Sequence, residues 1–172
     1  MKYVESYNSP LGKILLAADD EGLTGLWFVG QKYFASGLQK AHEQKSTPWL
    51  EMTSAWLDIY FSGKEPNFMP KLHPLGTPFQ LEVWANLCEI PYGRTTTYGK
   101  IAKQIAHKHG NEHMSAQTVG NAVGRNRISI IIPCHRVVGS NGSLTGYAGG
   151  IERKMALLDL ENALSDKLSI PK

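Results

Sequence analysis

Two cysteines, Cys88 and Cys134, are the candidate nucleophiles of the chain, and their neighbours differ. Cys134 stands in Ile130-Ile131-Ile132-Pro133-Cys134-His135-Arg136-Val137-Val138, with an imidazole beside it. The thiolate is the reactive form of cysteine, and an adjacent base or positive charge raises its fraction. Ile130 to Ile132 reads as a buried strand or its end, because β-branched residues suit a pleated sheet. Pro133 has no N–H to give a ladder, so regular pairing is expected to stop there. The chemistry this offers is attack by a sulfur anion held at the end of a rigid element. The plain alternative is a small buried hydrophobe, which many free cysteines are. Cys88 falls within an expected helix, where burial is expected.

Several elements must position this turn. After it comes a loop from Gly139 to Gly150 in which five of twelve residues are glycine, so it can bend sharply and approach a flat ligand closely. It lacks the Lys-Ser/Thr ending of a phosphate-binding loop. Ile151 to Glu161 reads as a last helix, with Ile151, Met155 and Leu158 on one face and Glu161 near its end. The tail from Ser165 to Lys172 is expected to fray. Before the turn, Thr77-Pro78 opens a helix carrying Phe79, Val83, Leu87 and Ile90, which Pro91-Tyr92-Gly93 stops. Thr97 can cap a second helix from Tyr98 to about Ala106, and Ser115 a third through about Val123. The loop from Lys108 to Met114 joins them. Two short helices joined in this way, the second rich in small residues (Ala116, Gly120, Ala122, Gly124), resemble a helix-turn-helix. Small residues also serve close packing against another helix.

The first part of the chain carries no obvious chemistry. Turn signals at Ser9-Pro10-Leu11-Gly12 and Asp19-Asp20-Glu21-Gly22 separate strand-like runs, including Lys13–Ala18 and Leu23–Val29, which suggests a meander. Gln31 to Ser46 is ambiguous and could hold a short helix. Thr47-Pro48 opens a helix with Leu50, Thr53, Leu57, Tyr60 and Phe61 on one face, and Gly63 can end it. Three prolines between Lys64 and Gly76 mark a linker. The expected domains are therefore residues 1–70 and 77–164.

With 172 residues, 42% of them hydrophobic and 19% charged, the chain can bury a real core. No apolar run approaches a membrane span, and the first residues lack the long apolar region of a signal peptide. The two cysteines suggest no disulfide framework and fit a reducing cytoplasm. No Cys/His cluster has zinc-ligand spacing, and His107, His109 and His113 read as a solvated loop, so no metal is expected. Net charge is +3, but the segment from Arg94 to Arg136 holds seven Arg/Lys against Glu112 alone, which is +6 there and leaves −3 for the remainder. Such a segment suits an anionic partner or is an ordinary solvated face.

Taken together these segments resemble the methylated-DNA–protein-cysteine methyltransferases, the O6-alkylguanine-DNA alkyltransferases. The residues that carry the resemblance are Pro133-Cys134-His135-Arg136-Val137-Val138, with Phe79-Gln80, Val83-Trp84, Ile90-Pro91-Tyr92-Gly93, Thr97-Tyr98-Gly99-Lys100-Ile101-Ala102 and Gly146-Tyr147-Ala148-Gly149-Gly150. They cover about residues 77 to 161. The resemblance implies an N-terminal α/β domain with an antiparallel sheet, ribonuclease H-like, followed by a mostly α-helical domain containing a helix-turn-helix. It implies a monomer that needs no cofactor and no membrane. Its partner is double-stranded DNA carrying O6-alkylguanine or O4-alkylthymine, entered from the minor groove and flipped out of the stack. The alkyl group passes irreversibly to the cysteine, so each molecule acts once as a suicide enzyme in DNA repair. Cys134 is then the acceptor, His135 the base through a bound water, Glu161 the carboxylate that orients it, Tyr98 the donor to the leaving guanine, and Asn126 the brace of the turn. DNA contacts fall on Ala116, Gln117, Thr118, Gly120, Arg125, Arg136 and Thr97, and the base pocket on Pro133, Val137, Tyr147 and Ala148. Gln117 stands where family members often have an arginine, and Ala148 where some have a serine. Zinc ligands found in some relatives' N-terminal domains have no counterpart, since no cysteine precedes Cys88.

Three other functions compete. An alkyltransferase-like protein marks lesions without reacting, but lacks the cysteine. A helix-turn-helix regulator could use Cys134 as a methylation sensor. An unrelated cysteine hydrolase would leave no stable adduct.

Overall fold

The structure, a computed structural model, describes residues 2–38, 42–111, 113–165 and 168. The chain divides into two compact units, Met1–Leu75 with Arg127–Ile131, and Gly76–Asn126 with Ile132–Lys172.

In the first unit β1 (Lys2–Ser9), β2 (Gly12–Ala18) and β3 (Leu23–Phe28) form an antiparallel meander turned at the two expected sites. A short β4 (His42–Gln44) adds to the other side of β1 in parallel, giving the order β3-β2-β1-β4, so the sheet is mixed. Residues 32–37 are turns, so the short helix considered for Gln31–Ser46 is not formed there, and residues 39–41 lie outside the described ones. Helix α1 (Pro48–Phe61) buries Leu50, Thr53, Trp56, Leu57 and Tyr60. Pro48 occupies its first turn, Thr47 caps by position without a side-chain bond, and Gly63 follows its end at φ +88°. Every residue of β3 is buried. Trp27 lies across the pleat so closely that a Cβ on Gly25 would stand 2.0 Å from its ring. The outer edge of β3 is closed at two places. Leu23 N–H donates to Lys71 O (2.8 Å), and Leu26 exchanges bonds with Arg127 O (2.8 Å) and Ser129 N–H (3.0 Å). An edge covered in this way presents no ladder to other chains.

The run Ile130–Ile132 is buried, but it is not the expected strand. Ile128 alone bridges to Leu26, and the following residues turn. Ile130 takes φ +69°, a left-handed conformation that β-branched residues rarely adopt, and Ile131 N–H bonds Ser129 O at 2.8 Å.

The second unit is mainly helical: α2 (Pro78–Leu87), α3 (Tyr98–Lys108), α4 (Ala116–Gly124) and α5 (Ile151–Leu160). Thr77 and Gln80 form a reciprocal capping box, while Thr97 accepts from Lys100 N–H and Ser115 from Thr118 N–H. The core of α2, α3 and α4 contains Val83, Trp84, Leu87, Ile101, Ile105, Val119 and Val123, and Trp84 Nε1 donates to Ala122 O at 2.9 Å. A parallel pair unforeseen from sequence, β5 (Thr96–Thr97) with β6 (Val137–Val138), ties the start of α3 to the residues after Cys134. Cys88 ends α2 and is exposed, which corrects the expected burial. The apolar face of the helix turns inward through Val83, Trp84 and Leu87, and leaves position 88 outside. The tail from Ser165 onward lies almost entirely outside the described residues. Among the described residues no helix is long and apolar enough to cross a membrane, and no group of three or more His, Cys, Asp or Glu could hold a metal ion.

Candidate active site

Pro133 ends the buried turn at φ −81°, ψ 64°, and Cys134–Arg136 form one turn of 3-10 helix. Val137 N–H closes that turn on Cys134 O, and β6 carries the chain away. Asn126 leaves the end of α4 and donates from Nδ2 to Ile132 O at 2.8 Å, which braces the approach to the thiol. Cys134 is only 6% exposed. Burial pushes its thiol pKa up, against the Asn126 side chain, the Lys154 ammonium and the backbone N–H groups of Cys134 and His135.

His135 is completely buried, and its Nε2 lies 2.6 Å from Glu161 Oε2. Glu161 reaches it from the C-cap of α5, 26 residues on in sequence. A carboxylate at Nε2 keeps the proton on that nitrogen and leaves Nδ1 as the basic one. Burial lowers the His135 pKa more than Glu161 raises it, so the ring is a neutral acceptor. Its ring and that of Tyr147 meet at a steep angle, 77° between planes, with centroids 6.5 Å apart.

Glu161 is held from its other oxygen. Oε1 accepts from Arg136 Nε at 2.8 Å and from Gly93 N–H at 3.1 Å. Burial disfavours the carboxylate, but His135 and Arg136 outweigh it and hold its pKa down at about 2. Arg136 is itself buried, with a second bond to Ile90 O at 2.8 Å and its guanidinium 5.7 Å from the Tyr92 ring centroid. Two of its five N–H donors, on Nε and Nη1, are thus committed inward.

Tyr98 opens α3 beside the β5–β6 pair, and its hydroxyl donates to Thr145 O at 3.1 Å. Burial, with the charge of Cys134 adding to it, raises its pKa to about 12. Gly120 of α4 faces the same ring, its Cβ position 3.7 Å from Tyr98 Cδ1. A Cβ on Gly146, at φ +77°, would stand 2.9 Å from the Tyr98 hydroxyl, so that glycine leaves room for the tyrosine.

The structure therefore brings Cys134, His135, Glu161, Tyr98 and Asn126 around one turn. Pro133, Val137 and Tyr147 are buried beside them and Ala148 is half-buried. Ala116, Gln117, Thr118 and Arg125 are exposed along α4 and its C-cap. The Thr118 hydroxyl is engaged with Ser115 Oγ at 2.7 Å, and Thr97 is half-buried with its side chain capping α3. Sequence reading missed Lys154, which is wholly buried and donates to Val137 O and to Thr145 O. Its spacing, three residues after Ile151 and four before Leu158, puts a charge on the apolar stripe of α5 and was a readable sign.

Residues 78–163 match the family described as 6-O-methylguanine DNA methyltransferase, DNA binding domain, and residues 2–74 the ribonuclease-like domain of the same family. The chain is 47% identical over 169 residues to the methylated-DNA–protein-cysteine methyltransferase of Methanosarcina acetivorans, covering 94% of this chain and 99% of that one. The inducible enzyme of that name from Bacillus subtilis is 40% identical over 161 residues, covering 93% and 84%. The crystal structure of Mycobacterium tuberculosis OGT in complex with DNA superposes with a TM-score of 0.80 at 40% identity, covering 94% of this chain and 93% of that one. The chain belongs to the 6-O-methylguanine DNA methyltransferase family.

Proposed function

We propose that this protein repairs duplex DNA by moving the alkyl group of O6-alkylguanine, and of O4-alkylthymine, onto Cys134. The observation that carries this reading is a nearly buried thiol directly followed by an imidazole that a carboxylate holds at 2.6 Å, in a domain of a DNA-binding family.

The thiol proton leaves Cys134 for His135 Nδ1 through a water, and Glu161 stabilises the imidazolium. The thiolate attacks the alkyl carbon in line with the C–O6 bond. A C–S bond forms, the C–O6 bond breaks, and its electron pair leaves with the guanine as an anion. Tyr98 gives that anion a proton. Its pKa of about 12 keeps the hydroxyl protonated until the leaving group demands it. The thioether has no route back, so the protein turns over once. Asn126 braces the turn, and Pro133, Val137, Tyr147 and Ala148 line the base pocket. No cofactor enters these steps.

Helices α3 and α4 act as a helix-turn-helix, with Ala116, Gln117, Thr118, Gly120 and Thr97 approaching the groove and Arg125 a phosphate. Gln117 fills the space of the flipped base. The protein works as a monomer, and a reducing cytoplasm keeps its thiols free. The domains responsible run over residues 1–70 and 77–164.

Incubation with duplex DNA carrying O6-methylguanine, followed by intact-mass analysis, tests the proposal. One methyl group per protein chain is expected, with guanine restored in the DNA. Tight binding to the lesion with no gain in mass would replace transfer by lesion recognition.

A further inference from the structure

The buried charges near Cys134 do not balance. Glu161 is paired with Arg136 through Oε1 and with neutral His135 through Oε2. Lys154 is equally buried, yet its hydrogen bonds run to two backbone carbonyls, Val137 O and Thr145 O, and no salt bridge joins it to a carboxylate among the described residues. Among the described residues the interior around Cys134 thus holds one cation more than it holds anions. Burying an ammonium without a counter-charge is costly, and stability gives no reason to keep it.

Both carbonyls lead to the reaction. Val137 closes the 3-10 turn of Cys134 through its N–H and binds Lys154 through its C=O. Thr145 O accepts from Lys154 at 2.8 Å and from the Tyr98 hydroxyl at 3.1 Å. One fixed cation therefore stands behind both the nucleophile and the proton donor. In the proposed transfer a negative charge starts on sulfur, passes to guanine and ends on the Tyr98 oxygen. We infer that Lys154 is a positioning residue for charge, the standing counter-ion of that travelling anion, and that it makes the buried Cys134 thiolate attainable near neutral pH. The inference deepens the proposed function and rests on it for the later stages, while the thiolate stage stands without DNA.

The groups facing the pair are Asn126, His135, Glu161 and Arg136 around the turn, and Tyr98 from α3. Cys134 and Lys154 act on each other: the ammonium lowers the thiol pKa, while burial takes the ammonium down to about 8 against an upward pull from Cys134. At neutral pH Lys154 remains mostly charged.

The test measures the rate of iodoacetamide alkylation of Cys134 against pH in a Cys88→Ala background, with and without Lys154→Met. The thiol midpoint should rise by about one unit or more in the methionine variant, and reactivity near neutral pH should fall roughly tenfold, since one pKa unit is a factor of ten in thiolate. Melting curves establish that Lys154→Met folds. If it does not, a heteronuclear NMR titration of the Lys154 side chain decides the matter, comparing the protein with Cys134→Ser. Loss of the thiol should then lower the lysine midpoint. Equal midpoints in the experiment that applies would overturn the inference. Iodoacetamide needs no DNA, so a protein that failed to repair DNA but showed the shifted thiol would lose the proposed function and keep this one.

Discussion

In the first unit the buried residues of β2 and β3 are almost all apolar, from Ile14, Leu16, Ala17 and Ala18 to Leu23, Leu26, Trp27 and Phe28. Among its described residues Lys2 alone is a buried ionic group, 3.9 Å from Asp19, which itself meets the one-third exposed His73 at 2.6 Å. In the second unit, the stretch from Asn126 to Glu161 buries an amide, an imidazole, a guanidinium, an ammonium and a carboxylate. Apolar burial stabilises by roughly 25 cal/mol per Å², whereas buried charges at best offset their own desolvation. The first arrangement follows from stability. The second needs another reason, and perturbed ionisable groups gathered around one thiol fit chemistry.

Several variants sharpen this contrast. The largest effect belongs to Cys134→Ser, which should abolish transfer while binding to methylated duplex, read by fluorescence anisotropy, stays within a few-fold. Next, Glu161→Gln should slow single-turnover transfer by about 10²-fold or more, in line with losing a group that orients a general base. It also leaves Arg136 without its ion-pair partner, so a stability loss of about 3 kcal/mol accompanies it in urea titrations. Trp27→Ala should lose a similar or larger stability, about 3–5 kcal/mol, by emptying the core over Gly25. The transfer rate of its folded fraction should nevertheless match the parent protein. A Trp27→Ala protein that stays stable but transfers slowly would break the contrast.

Acid tests the Glu161 pairing by a second route. Glu161 has a folded pKa of about 2 against an ordinary 4.5, so the unfolded chain takes up its proton first as pH falls. Its contribution is complete above about 4.5 and is lost on the way down to about 2. Urea midpoints measured over that range should fall more steeply for the parent than for Glu161→Gln, and parallel curves would contradict the assignment.

The smallest expected effect is at Gln117. It lies exposed on α4, away from the charged interior. Gln117→Ala should slow repair of duplex DNA several-fold and leave transfer from free O6-benzylguanine nearly unchanged. Gln117→Arg should quicken duplex repair, because a guanidinium adds charge and a planar donor fork. Equal slowing on both substrates would tie Gln117 to the fold or the pocket.

The parts legible in the sequence were those with local causes. Thr77 with Pro78, Thr97 and Ser115 marked three helix starts by capping chemistry, and the Pro-Cys-His turn marked the site. What stayed hidden depends on partners far along the chain. The β5–β6 pair is two residues long on each side, too short to leave a periodic pattern. The apolar run Ile130–Ile132 announced burial correctly, but burial alone does not distinguish a strand from a tight turn. The Arg136–Glu161 pair was not legible either, because a lone basic residue carries no mark of a carboxylate partner 25 positions on.

The charged interior serves one thiol, and Cys88, exposed at the end of α2, takes no part. Peptide mass spectrometry after reaction with methylated duplex DNA tests it most directly. The methyl group should appear on the peptide containing Cys134, with none on that containing Cys88, and the result should be unchanged in Cys88→Ala. A methyl group on Cys88 would contradict it.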